Sequence, residues 1–191
     1  IDEKELAFKL IDNFQEKLLH YVKGTLEKAA VPMYRIYGPE YATPPYLSPD
    51  EFPDLIMKYD RELIDMLHKH GSYARIHSHG RIRHILKYLK EMKIDAIDPL
   101  EPPPDGDIEL PEIREILGNK VTLIGNFEER IFEIGTKEEV EAAVKKAIEE
   151  GAKGGPFILC PTSTPLTTPL DRKIQQNMLH FLDCAVKYGK L

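Results

Sequence analysis

Apolar side chains recur every four residues at the start of the chain, at Leu6, Leu10, Phe14, Leu18, Val22 and Leu26. Such a row lies along one helical face, so the pattern predicts a single long amphipathic helix over residues 1–29. The period then changes. "VPMYRIYG" is a short β-branched and aromatic run closed by the loop "GPEYATPPY", which reads as a strand followed by a long connection. "SPDE", Ser48 to Glu51, carries the signature of a capping box, with Pro49 at the first helical position. The helix it opens buries Phe52, Leu55, Ile56, Tyr59, Leu63, Ile64 and Leu67, and Gly71 stops it.

The same alternation then repeats. "YARIH" leads through "SHG" to a helix with Ile82, Ile85, Leu86, Leu89 and Met92 inward, and "AIDPL" leads through "EPPPDGD" to a short helix near "PEIREIL". "VTLIG" leads through the loop "NFEERIFEIG" to a helix opened by a Thr136–Glu139 box and closed at Gly151. "PFILC" leads through "PTSTPLTTP" to a last helix from about Asp171 to Tyr188. These five βα units imply an α/β fold with a parallel sheet, because a right-handed crossover helix is the usual join between parallel neighbours.

Composition narrows the classes. A chain of 191 residues, 42% hydrophobic, supports one good core, so residues 1–191 are expected to form a single domain. The longest apolar runs fall far short of the roughly 20 residues needed to cross a bilayer, and no secretory pattern opens the chain. A cytoplasmic location is the default. A net charge of −6 with both signs interleaved excludes nucleic acid as the expected partner. Two cysteines, Cys160 and Cys184, make no disulfide framework.

In parallel α/β folds the loops after the strands gather on one face, and chemistry collects there. The strand exits carry Tyr37 and Glu40, His77 and His79, Glu101, Asn126 and Glu128, then Cys160, Thr162 and Ser163, whereas "KHGS", "LGNK" and "GAKGG" at the opposite end hold turn formers and lysines. The asymmetry locates a site without naming a reaction.

The blocks "YLSPDEFPDLIMKYDRELIDMLHKHG", "HSHGRIRHILKYLKEMKIDAIDP", "VTLIGNF" with "GTKEEVEAAVKKAIEEG", and "GGPFILCPTSTPLTTP" together resemble the carboxyl-terminal part of the uroporphyrinogen decarboxylase superfamily, which includes zinc-dependent, corrinoid-linked methyltransferases. The resemblance runs from Val31 onward and implies a (β/α)₈ barrel, of which the five units here look like the fourth to eighth. A whole barrel takes roughly 250 residues, so the chain is expected to be a fragment or half-barrel whose activity alone is doubtful. The superfamily's decarboxylases use a histidine after the last strand, where this chain shows Ser163, a departure that weighs against the decarboxylase reading. The methyltransferases show His, any residue, Cys, and later a second Cys. His77 matches the first position, His79 replaces the first Cys, and Ser163 falls at the second with Cys160 three residues earlier. A zinc set of His77, His79 and Cys160 follows as the implied metal site, because zinc accepts imidazole and thiolate alike.

Each candidate also has an ordinary reading. The histidine pair is equally a hydrogen-bonding or anion-binding pair, Glu101 an exposed turn residue stiffened by the following prolines, and Cys160 a small buried hydrophobe. Without metal, His77 would carry a proton and Arg81 would fix a substrate carboxylate. Two classes therefore stand. One is an enzyme acting on a small molecule through His77, His79, Arg81 and Glu101, with Tyr37, Glu40, Asn126 and Ser163 toward substrate. The first form of it is a zinc-assisted methyltransferase with a corrinoid protein as partner, and a decarboxylase is the alternative. The other is a non-catalytic binding remnant. Two open sheet edges further predict a homo-oligomer or pairing with a missing amino-terminal half.

Overall fold

A computed structural model describes residues 3–190. Its frame is one parallel sheet of β1 (Met33–Tyr37), β2 (Tyr73–Ser78), β3 (Ala96–Pro99), β4 (Thr122–Phe127) and β5 (Phe157–Pro161), paired in chain order. The helices are α1 (Lys4–Leu26), α2 (Lys58–Lys69), α3 (Leu86–Glu91), α4 (Leu110–Leu117), α5 (Arg130–Ile134), α6 (Lys137–Gly151) and α7 (Arg172–Tyr188). Parallel neighbours joined by helices, each strand adding beside the last, form an arc of a (β/α)₈ barrel. No described helix is long and apolar enough to cross a membrane.

Strand alternation divides the sheet into two faces. Ile36, Ala74, Ile76, Ile97 and Leu123 turn to the helices, where they meet Ile64, Leu67, Leu86, Leu89 and Ile113 in one core. A second cluster joins α5, α6 and α7 through Phe127, Phe132 and Phe181, whose rings lie 4.7, 4.8 and 5.5 Å apart. The opposite face is concave to the arc and partly open, with Tyr37, Tyr73 and Ile158 all at least half exposed.

At the floor, Arg114 of α4 is buried. Its guanidinium donates to the carbonyls of Gly118, Val121, Gly151 and Pro156, so one side chain ties together the two turns that feed β4 and β5. Desolvation without a paired carboxylate pushes its pKa down.

Several local expectations are corrected. Ser48 accepts from the Asp50 N–H and the Glu51 carboxylate pairs with Lys4, so the expected reciprocal box there is absent. The segment begins as a 3₁₀ turn and a π turn, and becomes α only at Lys58, because Pro53 has no N–H for the helical ladder. The Thr136–Glu139 box has both of its hydrogen bonds. The loop after β4 holds the additional helix α5, and the helix after "SHG" is short, although Ile82, Ile85, Leu86, Leu89 and Met92 are all buried. The largest departure is in α1, where Leu6, Leu10, Phe14 and Leu18 are exposed and only Val22 of the row is buried. The helix rests on α2 through a neighbouring face: Gln15 donates to the Tyr59 carbonyl at 2.9 Å, and Asp12 accepts from the Tyr59 hydroxyl at 2.7 Å.

Candidate functional site

The strand exits and the concave face meet at a polar cluster built around Asp98. β3 is buried along its whole length, and Asp98 is 2% exposed within it. An isolated carboxylate could not remain ionised there, and three donors hold it charged. Arg75 Nε donates to Oδ1 at 2.5 Å, Arg35 Nη2 to Oδ2 at 2.5 Å, and His77 Nδ1 to Oδ2 at 2.8 Å. Burial alone would raise the Asp98 pKa, but the bonds from Arg75, Arg35 and His77 overcome it and hold the group below the usual carboxylate range. Register explains the meeting. Arg35 pairs with Arg75, Tyr37 with His77, and His77 with Asp98, so all share one face. Arg35 Nη2 also lies 2.7 Å from His77 Nδ1; both are donors, and Oδ2 is the acceptor that brings them together.

One step further out, His79 Nδ1 donates to Glu101 Oε1 at 2.6 Å, and the Gly80 N–H donates to Oε2. The hydrogen bond to Glu101 outweighs desolvation and raises the His79 pKa above its ordinary 6.5. Burial would push Glu101 up, but the bonds from His79 and Gly80 bring it below its usual range. The loop achieves this aim through strain, since Leu100 adopts φ +61°, a left-handed conformation unusual for leucine, immediately before Glu101. The rings of His77 and His79 stand edge to face, 4.5 Å apart. Two imidazole–carboxylate pairs therefore adjoin each other at the mouth of the arc.

Beside them lies a cavity of about 400 Å³, bordered by Glu40, Tyr41, Tyr46, His79, Glu101 and Asp105. Tyr37 is exposed and accepts from Arg35 Nη1 at 2.7 Å through its hydroxyl, and Glu40 accepts from the Gly38 N–H. Asn126 lies opposite Cys160 in the β4–β5 register, and its side borders a smaller cavity of about 210 Å³ with Glu128. Glu128 Oε2 is buried with no partner, and desolvation raises that carboxyl's pKa. Burial also raises the Cys160 thiol, opposed by the nearby Arg75 and Arg35 guanidiniums. Arg81 and Ser163 are exposed, and neither has a side-chain hydrogen bond among the described residues. A larger groove of about 660 Å³ between α1 and α2, with His20, Lys58 and Arg61, lies on the outer surface away from the strand exits.

Of the residues read from sequence, the structure brings together His77, His79, Glu101 and Tyr37, and places Glu40 at the edge of their cavity. Among the described residues there is no group of three or more His, Cys, Asp or Glu side chains that could hold a metal ion. His77 and His79 alone supply two imidazoles, and the Cys160 thiol is not grouped with them. Arg35, Arg75 and Asp98 were missed. Only Asp98 carries a signal within its own segment, a charged side chain in a strand buried along its whole length; Arg35 and Arg75 are brought to it by register. Strand alternation puts Arg35 with Tyr37, and Arg75 with His77.

A parallel barrel arc with acid–base groups gathered at its strand exits defines a class of small-molecule site found in barrel enzymes. The family model for Uroporphyrinogen decarboxylase (URO-D) matches residues 1–174, and the chain belongs to that family. Among solved structures, a methyltransferase from Methanosarcina mazei is similar in fold, with a TM-score of 0.74 and 19% sequence identity over 99% of this chain. The chain spans about half of that protein, 51% of its length. No curated protein matched.

Proposed function

We propose that this chain supplies the acid–base half of a small-molecule enzyme site, and that the reaction its geometry supports best is decarboxylation. The carrying observation is the pair of imidazole–carboxylate couples, His77–Asp98 and His79–Glu101, with their rings 4.5 Å apart. Loss of carbon dioxide breaks a carbon–carbon bond and leaves its electron pair on carbon, so the substrate must hold that pair until a proton arrives. His79, whose pKa the hydrogen bond to Glu101 raises, is the donor placed at the cavity to deliver it. Glu101 fixes which ring nitrogen carries the shared proton, leaving Nε2 toward the substrate. Asp98 orients His77 in the same way. Tyr37, Glu40, Asn126 and Ser163 are proposed to line the substrate's path, and Arg81 to reach it from the rim. The test is carbon dioxide release from uroporphyrinogen, the substrate in the family's name, and from simpler carboxylated pyrroles. His79→Gln should abolish release, and an unchanged rate would overturn the reading.

A second reading, methyl transfer with a corrinoid protein, draws on the carboxylate behind each histidine. That arrangement orients imidazoles whose other nitrogen binds zinc. The fold neighbour's description as a methyltransferase agrees with it. His77, His79 and Cys160 would be the proposed ligands, but the described groups do not assemble a third donor, so no step is routed through metal. Elemental analysis decides: about one zinc per chain, lost in His77→Ala and His79→Ala, would favour this reading over the first.

For partners, we propose that the open edges β1 and β5 and the bare faces of α1 and α7 are covered by a second copy or by an amino-terminal half-barrel. A cytoplasmic location is the accompanying proposal, tested by fractionation.

A further inference from the structure

Arg35 and Arg75 are directly opposite each other on adjacent strands. Like charges in that position repel. Among the described residues only one carboxylate, Asp98, is bonded to either of them, so the trio carries one uncompensated positive charge. The two guanidiniums are not used alike. Arg35 is occupied on both sides, Nη1 by the Tyr37 hydroxyl and Nη2 by Asp98. Arg75 bonds Asp98 through Nε alone, and its Nη1 and Nη2 have no hydrogen-bond partner among the described residues. Its side chain is 24% exposed, so most of its length is packed while the terminal nitrogens reach the concave face. Neither nitrogen is sealed without a partner, unlike Arg114 Nε.

We propose that Arg75 is a carboxylate-binding fork, and that the terminal nitrogens receive one carboxylate group of the ligand beside His77 and Cys160. Anchoring Nε on a buried carboxylate fixes the plane of the guanidinium in advance, so two parallel N–H donors meet a planar oxyanion with little rotamer freedom left to lose. The uncompensated charge is a single one. It matches a monoanionic carboxylate better than a phosphate, whose charge at neutral pH lies between one and two. Ala96, next to Arg75 in the register, leaves the fork room, and the exposed side chains of Tyr73 and Ile158 offer the ligand's carbon skeleton an apolar bed. This assignment deepens the decarboxylase reading and rests on it for biological meaning, since it names how the substrate would be gripped. The grip is on β2, inside the arc, and not at Arg81 on the rim.

The test is direct binding, so it does not depend on turnover. The full chain, with its arginine side chains labelled with nitrogen-15, is titrated with propionate and separately with inorganic phosphate at constant ionic strength. The expected result is a saturable shift of the Arg75 guanidinium signals and of those of the adjacent Arg35, stronger for propionate than for phosphate; the Arg35 signals are the readout in variants of Arg75. Arg75→Gln should remove it. Arg75→Lys, which keeps charge and fold but loses the planar fork, should weaken it about tenfold. Arg83→Gln, which removes an arginine paired with Glu112, should leave it unchanged. No saturation, tighter phosphate binding, or a response that survives in Arg75→Lys at full strength would overturn the proposal. Propionate bound through Arg75 without any carbon dioxide release would leave the fork standing and remove the decarboxylase reading. Release with a KM unaffected in Arg75→Lys would do the reverse.

Discussion

His77 faces Asp98 across the β2–β3 register, 2.8 Å from nitrogen to oxygen, and that carboxylate is at once the partner of two arginines. Replacing Asp98 by Asn leaves two guanidiniums side by side with a neutral amide. Removing one partner from such a buried network costs about 3 kcal/mol. Urea unfolding of Asp98→Asn should show that loss as a lower midpoint at unchanged slope.

The pH response has opposite signs for the two couples. His79 has its pKa raised in the folded protein, so its contribution is fully present below its ordinary 6.5 and is lost as pH rises through the folded value. Asp98 is depressed, so its contribution is present above its ordinary 3.8 and is lost as pH falls through the folded value. Nuclear magnetic resonance titration of the His79 ring should give a midpoint above 6.5, and Glu101→Gln should bring it down.

Gly106 folds back over Glu101. A methyl group there would come within 1.8 Å of the Glu101 carbonyl oxygen, so Gly106→Ala must displace the loop. The expected cost is about 2 kcal/mol, the usual scale of overpacking. The His79 titration should fall toward its ordinary value at the same time, which links the strain to the site.

Arg114 gives a prediction at the other end of the sheet. Its four carbonyl contacts need a planar fork, so neither alanine nor lysine replaces it. Arg114→Ala should lose at least about 3 kcal/mol in thermal or urea unfolding, and Arg114→Lys should recover less than half of that.

The exposed row Leu6, Leu10, Phe14 and Leu18 on α1 and the trio Leu179, Leu182 and Val186 on α7 are large apolar patches for a free surface. Sedimentation of the chain by itself should show association, and the double variant Phe14→Ser, Leu182→Ser should shift it toward the monomer. A monodisperse wild-type monomer would remove the second copy from the partner proposal and leave the amino-terminal half-barrel.

The architecture was legible because periodicity is a backbone property. Alternation in "YARIH" and "VTLIG" and the four-residue spacing around Val140 and Val144 report local geometry that tertiary contacts did not override. The face of α1 was not legible in this way, since Leu6 to Leu18 and the set around Gln15 and Leu19 are both plausible seams, and only α2 selects between them. His77, His79 and Glu101 were visible as unusual residues at strand exits. Arg35, Arg75 and Asp98 were not, because their role depends on register between strands about 20 to 40 residues apart in sequence, and register is absent from any single segment.

The five strands lie in the sheet in the order in which they are synthesised. No ladder waits for a distant segment. Each βα unit can dock on its predecessor as soon as it is made, and a break or a graft between units severs one ladder and leaves the others whole. An architecture assembled by accretion in this way tolerates division into pieces that later rejoin.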